Sequence, residues 1–333
     1  MDELIKYRDI LKEELSSFFD NQKIISRPED KKIYGFLKEY SLRGKFIRGS
    51  LILLLNQLLT GKISDSAIKT AVSMEILHSS ILVIDDIIDK DDTRRSKPSM
   101  HITVKELIPR SSDLVHDASS IAMCVGLIGT YSAYNLLSKT SKEVISQLSE
   151  EFTKTGFAEL NEIILAQNVV VSEADVMNIY KFKTAKYTIT LPFKLGFIVS
   201  NMEFTNMLEK ITDNIGILFQ VRDDLLELEM AAEVIGKSNT SDIRAGKQHY
   251  PRKLLEKLAT PPDLDKINAA YKVLDDDSVK LIQDMYKKYD VASKTRLLID
   301  DLKTETSRLI ELVDDKLKPL LKKLLAYVVE RKF

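Results

Sequence analysis

Cysteine is nearly absent from this 333-residue chain, and its positive and negative charges almost cancel. The single thiol, Cys124, excludes a disulfide within the chain and is typical of a reducing compartment, and its apolar neighbours predict a buried side chain. With 49 Lys and Arg residues against 50 Asp and Glu residues, no overall field favours nucleic acid as a partner. A function that depends on charge must therefore depend on local clusters.

The opening segment MDELIKYRDILKEEL lacks the apolar run of a signal peptide, and we predict a cytoplasmic protein. Residues 118–138 carry no charge over a length that could span a membrane. Because serines, tyrosines and an asparagine interrupt this stretch, we expect no membrane span. We expect instead a helix that is buried on all sides, either inside the fold or against another subunit.

Glycine and proline are sparse, and apolar residues recur with the period of a helix along most of the chain. This pattern predicts helices throughout: residues 2–20, 33–40, 45–59, 65–89, 115–139, 142–171, 173–199 and 206–228, with four shorter helices after residue 263. A polar loop is predicted over residues 230–251. No linker, composition shift or repeat divides the chain, so we predict a single all-α domain, a helical bundle over residues 1–333.

Two acidic groups stand on predicted helices whose flanks are apolar. In EILHSSILVIDDIIDKDDTRR, Asp85 and Asp89 are one helical turn apart, with Asp86 between them. FQVRDDLLELE repeats this spacing with Asp223, Asp224 and Glu227. Carboxylates on such helices are costly unless a cation compensates them. Because no His or Cys accompanies them, the predicted cation is Mg²⁺ rather than zinc, and Mg²⁺ in turn predicts a phosphorylated substrate.

Basic residues outside the two acidic groups could bind that phosphate. They are Lys45 and Arg48 in SLRGKFIRG, Arg94 and Arg95 after the first group, Lys183 and Lys186 in KFKTAKYT, and Lys237, Arg244 and Lys247 after the second group. Glycine-rich fingerprints for nucleotides are absent, so ATP and NAD are not indicated. The long apolar helices would then hold the rest of the substrate.

Five segments, in order, resemble the trans-isoprenyl diphosphate synthase family, whose members are related to farnesyl and geranylgeranyl diphosphate synthases. In chain order, the segments are RGKFIR, the first aspartate-rich region, KFKTA, the second aspartate-rich region and the lysine-bearing loop EVIGKSNTSDIRAGKQHYP. The resemblance implies an isoprenoid synthase fold with a central cavity and a homodimer. It also implies a reaction in which isopentenyl diphosphate attacks an ionised allylic diphosphate and a proton is lost. Metal ions and basic residues would stabilise the leaving diphosphate.

The resemblance also implies the role of each residue. Three Mg²⁺ ions would bind Asp85, Asp89 and Asp223, with Glu227 as a further candidate because it replaces the family's last aspartate. The implied catalytic residues are Asp85, Asp86, Asp89, Lys183, Thr184, Gln220, Asp223 and Asp224. The implied allylic diphosphate ligands are Arg94, Lys183, Gln220, Lys237 and Lys247. The implied isopentenyl diphosphate ligands are Gly44, Lys45, Arg48, His78 and Arg95. Ala158 and Glu159 stand where the family usually has Gly-Gln.

The product would grow along a tunnel beside the helix that carries Asp85, and one helical turn rises about 5.4 Å, close to the length of one isoprene unit. Ser80 is too small to close that tunnel, and Leu77 and Ile81 are the next obstacles. We therefore expect a product of about twenty carbons or more, with geranylgeranyl diphosphate favoured. The alternatives are a longer polyprenyl or a farnesyl synthase, a terpene cyclase, or a silent subunit of a heteromeric synthase.

Overall fold

The computed structural model describes residues 2–21, 27–166, 171–229 and 241–331, and it confirms the all-α prediction. The α-helices are α1 (Asp2–Asp20), α2 (Pro28–Leu42), α3 (Ile47–Thr60), α4 (Asp65–Ile88), α5 (Met100–Thr103), α6 (Leu114–Leu137), α7 (Lys142–Ala166), α8 (Glu173–Ile179), α9 (Leu191–Ile198), α10 (Asn206–Glu229), α11 (Ser241–Arg244), α12 (Tyr250–Leu258), α13 (Pro261–Val273), α14 (Asp276–Lys288), α15 (Val291–Ile310) and α16 (Lys318–Glu330). A 3₁₀ turn covers Val104–Leu107, a π-helix covers Tyr180–Thr190, and strands β1 (Thr93–Arg94) and β2 (Lys97–Pro98) pair antiparallel.

Apart from shifted helix ends, such as that of α2, which begins at Pro28 instead of residue 33, two predicted stretches differ in kind from what the structure has. The helix expected over residues 173–199 begins as predicted, because Ser172 and Asp175 cap it reciprocally, but its middle is the π-helix. Apolar spacing does not reveal this, since a π-helix changes the backbone bonds and leaves the buried pattern helical. The loop expected over residues 230–251 ends in α11 and the start of α12, where Pro251 occupies the first turn, a position that tolerates proline.

Contacts within the chain divide it into two compact units, and the first comprises residues 1–148 and 192–203. Its central helix is α4, which packs against α3 and α6. Met74, Ile76 and Leu77 of α4 are fully buried. Gly129 of α6 lies so close to the Ser80 hydroxyl that a Cβ atom there would clash. Small residues therefore let α4 and α6 approach each other closely.

The second unit comprises residues 149–191 and 204–333, and its central helix is α10. This helix packs against the π-helix, α15 and α16. Gly216 of α10 lies against the backbone of Ala185 in the π-helix, leaving no room for a side chain. The prediction of one domain over residues 1–333 stays a prediction.

Helix α6 has one packed face and one exposed face. Among the described residues it is the one helix long and apolar enough to cross a membrane, by length and composition alone. Met123, Leu127 and Tyr131 are exposed, so the fold of the single chain does not bury this helix on all sides, and the predicted alternative, burial against another subunit, stays a prediction. The buried position predicted for Cys124 is wrong, because Cys124 lies on the exposed face. Because residues 118–138 carry no charge, their sequence does not distinguish the packed face of α6 from the exposed one.

Candidate active site

The first acidic group occupies the last turns of α4 and the residue that follows it. Asp86 is buried, and it accepts hydrogen bonds from the Tyr40 hydroxyl at 2.6 Å and from Nε of Arg94 at 2.5 Å. Nη2 of Arg94 also donates to Asp85 at 2.8 Å. Asp89 is exposed, and its carboxylate makes no hydrogen bond or ion pair to a described residue. The group therefore combines a fixed inner carboxylate with an open outer one.

The β1–β2 hairpin presents two adjacent arginines. Its two-residue turn consists of Arg95 and Ser96, with φ angles of 55° and 60°, as a type I′ turn requires. Arg94 precedes the turn and pairs with the acidic group. Burial lowers the pKa of Arg94, but the carboxylates of Asp86 and Asp85 outweigh it, and the net shift is upward. Arg94 is thus held as a charged partner of the aspartates.

The structure brings four of the five predicted isopentenyl diphosphate ligands together in the first unit. Nη1 of Arg48 lies 3.1 Å from Nε2 of His78. A Cβ atom at Gly44 would lie 3.5 Å from Nη1 of Arg95. Burial, then the charges of Arg48 and Arg95, lowers the pKa of His78 far below its ordinary value. Since a guanidinium only donates, neutral His78 accepts through Nε2. The fifth ligand, Lys45, is exposed.

A buried carboxylate, which the sequence reasoning missed, underlies this cationic group. Glu75 is 3% exposed and accepts a hydrogen bond from the backbone N–H of Gly49 at 2.7 Å. Burial raises the pKa of Glu75, whereas the Gly49 bond and the charges of Arg48 and Arg95 oppose that rise. A lone acid in an apolar helical run, three residues before His78, was the available signal. Glu75 therefore interacts electrostatically with Arg48 and Arg95.

The second acidic group is fixed by residues of the π-helix. Asp224 is buried and accepts hydrogen bonds from the Tyr180 hydroxyl and, at 3.0 Å, from Nε2 of Gln220. The same Tyr180 hydroxyl accepts the backbone N–H of Tyr250 at 2.6 Å. Burial raises the pKa of Asp224 to about 8, although the bonds from Tyr180 and Gln220 work against that rise. Tyr180 was missed because its partners lie far away in the sequence.

The other members of the second group have partners in the same unit. Asp223 is one-third exposed, and Nη1 of Arg331 donates to it at 2.8 Å. Glu227 accepts the backbone N–H of Asp242 at 2.9 Å, and the Asp242 carboxylate pairs with Lys247 at 3.1 Å. The structure thus connects Lys247 to this group. Lys237, also predicted to bind the diphosphate, lies outside the described residues.

The KFKTA segment lies on the π-helix, a rare conformation that is frequent at functional sites. The Thr184 hydroxyl donates to Oε1 of Gln220 at 3.0 Å, which links this segment to Asp224. Lys183 pairs with Glu159 at 2.9 Å and with Glu162 of the same helix, α7. Burial lowers the pKa of Lys183, but the two glutamates outweigh it and the net shift is upward.

The donor set of both acidic groups suits a hard divalent cation. Carboxylate oxygens are the ligands that Mg²⁺ and Ca²⁺ prefer, and Asp89 and Asp223 both have exposed carboxylate surface. Within the described ranges, no group of three or more His, Cys, Asp or Glu side chains could hold a metal ion alone. Mg²⁺ does not need one, since one or two carboxylates usually bind it together with water and substrate phosphate. The residues present therefore fit Mg²⁺.

Comparison with known proteins decides the family. Residues 30–289 match the family model described as polyprenyl synthetase. The chain belongs to the polyprenyl synthetase family. The resemblance inferred from the five motifs is thus confirmed, and this polyprenyl synthetase is an enzyme of the prenyltransferase class. The family match does not test the individual site residues, which stay predictions.

Relatives of this polyprenyl synthetase carry names with different products. Geranylfarnesyl diphosphate synthase of Aeropyrum pernix is 25% identical over 303 residues, which cover 86% of this chain and 90% of the relative. Geranylgeranyl diphosphate synthase of Saccharolobus solfataricus is 30% identical over 218 residues, which cover 63% of this chain and 61% of the relative. The crystal structure of geranylgeranyl pyrophosphate synthase from Corynebacterium glutamicum, complexed with isoprenyl diphosphate and magnesium, matches with a TM-score of 0.85 and 25% identity, covering 98% of this chain and 99% of that one.

Proposed function

We propose that this polyprenyl synthetase condenses isopentenyl diphosphate with an allylic diphosphate in a magnesium-dependent reaction. The product is a trans-prenyl diphosphate of about twenty carbons or more, with geranylgeranyl diphosphate favoured. The observation that carries the proposal is that the two adjacent arginines of the β1–β2 hairpin have different neighbours. Arg94 pairs with Asp85 and Asp86, while Arg95 lies beside Gly44 and acts electrostatically on His78. One anion site thus adjoins the carboxylates, and a second is separate from them, as two diphosphate substrates require.

Three magnesium ions are proposed, with Asp85, Asp89 and Asp223 as ligands and Glu227 as a further candidate. The Corynebacterium relative, whose complex contains magnesium and an isoprenyl diphosphate, supports this choice. When bound, the metal neutralises charge on the leaving diphosphate. The buried Asp86 and Asp224 keep their protein hydrogen bonds and orient the helix ends that carry the ligands.

Protein side chains would bind and orient both substrates. Arg94, Lys183, Lys237 and Lys247 are the proposed basic ligands of the allylic diphosphate. Gly44, Lys45, Arg48, His78 and Arg95 are the proposed ligands of isopentenyl diphosphate. Thr184 and Gln220 would face the developing allylic cation. The allylic C–O bond breaks, the isopentenyl double bond supplies the electrons of the new C–C bond, and the departing diphosphate takes the proton.

Product length is proposed to depend on Leu77, Ser80 and Ile81 of α4. Ile81 is one turn before Asp85 on the same face of the helix. The Ser80 hydroxyl donates to the Ile76 carbonyl at 2.9 Å and lies against Gly129. A Ser80→Phe variant is expected to give a shorter product, measured by chromatography of the dephosphorylated alcohols. Unchanged product length in a folded variant would remove Ser80 as a determinant and leave Ile81→Phe as the next test.

One assay tests the reaction. The purified chain is incubated with an allylic diphosphate and labelled isopentenyl diphosphate, either with Mg²⁺ or with EDTA. We expect labelled prenyl diphosphate only with Mg²⁺. Consumption of the allylic substrate without incorporation of label would indicate a terpene cyclase. No turnover at all would indicate a silent subunit, and activity in EDTA would refute the metal ligands.

A homodimer is the proposed assembly, with the exposed face of α6 as the contact. Met123, Leu127 and Tyr131 of that face expose 44%, 54% and 72% of their surface, and they follow one another at intervals of one helical turn, so a partner helix could cover them together. The relatives do not specify the assembly of this chain. The cytoplasmic location also stays a prediction.

A further inference from the structure

Lys183 is held between two carboxylates of one helix. Its ammonium pairs with Glu159 at 2.9 Å and with Glu162, which lies three residues further along α7. The three side chains are only 20–26% exposed, so water screens the pairs weakly. Two carboxylates and one ammonium carry a net charge of −1. The lysine is therefore more than neutralised before any substrate arrives.

This charge balance bears on binding of a diphosphate. The sequence KFKTA and its family resemblance make Lys183 a proposed ligand of the allylic diphosphate, and Thr184 beside it connects through Gln220 to Asp224. A diphosphate that approaches Lys183 meets the attraction of one ammonium and the repulsion of two carboxylates. One of these carboxylates belongs to Glu159, which stands where the family usually has an uncharged glutamine. With a glutamine at position 159, the group of three side chains would be neutral instead of negative.

We propose that Glu159 is a positioning residue that sets the affinity for the diphosphate substrate, because it holds Lys183 against α7 together with Glu162. The inference rests on the proposed function, in which Lys183 binds the allylic diphosphate. Glu159 touches neither substrate nor metal in this account. It acts through Lys183, whose ammonium must be shared between α7 and the substrate. Affinity is thereby lower than the basic residues alone would provide.

Glu159→Gln tests the proposal because it removes one charge and keeps the shape of the side chain. Binding of inorganic diphosphate in the presence of Mg²⁺, measured by titration calorimetry, is expected to be about threefold to tenfold tighter in this variant at low salt. The gain is expected to shrink in high salt, because it is electrostatic. Glu159→Asp keeps the charge and is expected to bind like the parent.

The matched control is Glu150→Gln. Glu150 is on the same helix, pairs with Lys154 at 2.7 Å and is 53% exposed. This variant is expected to bind diphosphate as the parent does. In turnover, Glu159→Gln is expected to lower KM for the allylic diphosphate by a similar factor without lowering kcat, since Glu159 repels the diphosphate in the ground state and also repels the charge that builds on it as it leaves. A merely structural role would lower thermal stability and would not lower KM.

The outcomes separate this inference from the proposed function. If the parent binds diphosphate and transfers the prenyl group, but folded Glu159→Gln binds no tighter than Glu150→Gln, the positioning role is refuted and the function stands. If the parent binds no diphosphate with Mg²⁺ present, both are refuted. Should Glu159→Gln fail to fold, Glu162→Gln removes the other charge of the pair, and unchanged affinity there refutes the role equally.

Discussion

At the scale of single residues, neighbours in sequence have different partners. Arg94 and Arg95 are adjacent, yet the type I′ turn separates their side chains. Arg94 pairs with the carboxylates of Asp85 and Asp86, whereas Arg95 acts electrostatically on Glu75. The motif locates both arginines. It does not predict their partners, because residues such as Tyr40 reach the motif from 46 positions away in the chain.

A buried histidine predicts how stability responds to acid. Burial lowers the pKa of His249 to about 4, and Arg252 and Lys247 add to this shift while Asp242 opposes it. The unfolded histidine takes up a proton near pH 6.5. Between pH 6.5 and 4 the unfolded state binds more protons, so the free energy of unfolding falls as the pH falls, by up to about 3 kcal/mol.

His249→Asn tests this expectation. Nδ1 of His249 accepts the N–H of Arg252 at 3.3 Å as a helix cap, and asparagine is a good replacement cap that does not titrate in this range. Urea unfolding at pH 7 and pH 5 is expected to show a smaller loss in the variant than in the parent. Equal losses in both proteins would show that His249 does not cause the acid sensitivity.

At the scale of elements, the periodicity predicts helices well when one face is apolar. Helix α4 is predicted over residues 65–89 and observed over Asp65–Ile88, and the acidic run at Asp275 caps α14 as a helix junction. The π-helix could not be predicted, because its apolar spacing is that of an ordinary helix and its close contact with Gly216 of α10 lies far away in the sequence. Lys237 lies outside the described residues. Its predicted role as a diphosphate ligand can be tested by substitution.

The contact between α10 and the π-helix predicts a large effect of one methyl group. Gly216→Ala would place a Cβ against the backbone of Ala185, which cannot move aside as a side chain could. We expect a loss of about 1–3 kcal/mol in the free energy of unfolding, and weaker catalysis because Thr184 shifts with the π-helix. Urea unfolding and the transfer assay measure the two effects.

Gly156→Ala is the matched control on α7, where an added Cβ meets no atom within 4 Å. Alanine is favoured over glycine in a helix, so this variant is expected to gain up to about 1 kcal/mol. If both variants changed stability by the same amount and sign, close packing at Gly216 would not be the cause.

At the scale of the whole molecule, the sequence pattern predicted an all-helical protein with local charge clusters that resembles the prenyl synthases, and the family match confirms that family. The apolar face of α6 was predicted to be covered by the fold or by a partner, and because it is exposed in the single chain, coverage by a partner stays a prediction. The sequence could not decide this, because an uncharged helix looks the same in a core and in an interface.

The homodimer prediction is tested at the centre of that face. Leu127→Glu would bury a charge in the interface, so we expect it to convert a dimer into single chains of 37.9 kDa. Leu297→Glu makes the same change at a leucine of α15 that is 64% exposed, and it should remain dimeric. Light scattering after size exclusion measures the mass. A parent protein that is already monomeric would contradict the prediction.

The central claim is that both acidic groups serve one transfer reaction. The most direct measurement is the rate of incorporation of labelled isopentenyl diphosphate by Asp85→Asn and Asp223→Asn, with Asp300→Asn as a control at an exposed aspartate. Loss of a metal ligand in either group is expected to lower kcat by at least about a hundredfold, with the control within about twofold of the parent. If either variant kept more than about a tenth of the parent rate, that acidic group would not be part of the catalytic site.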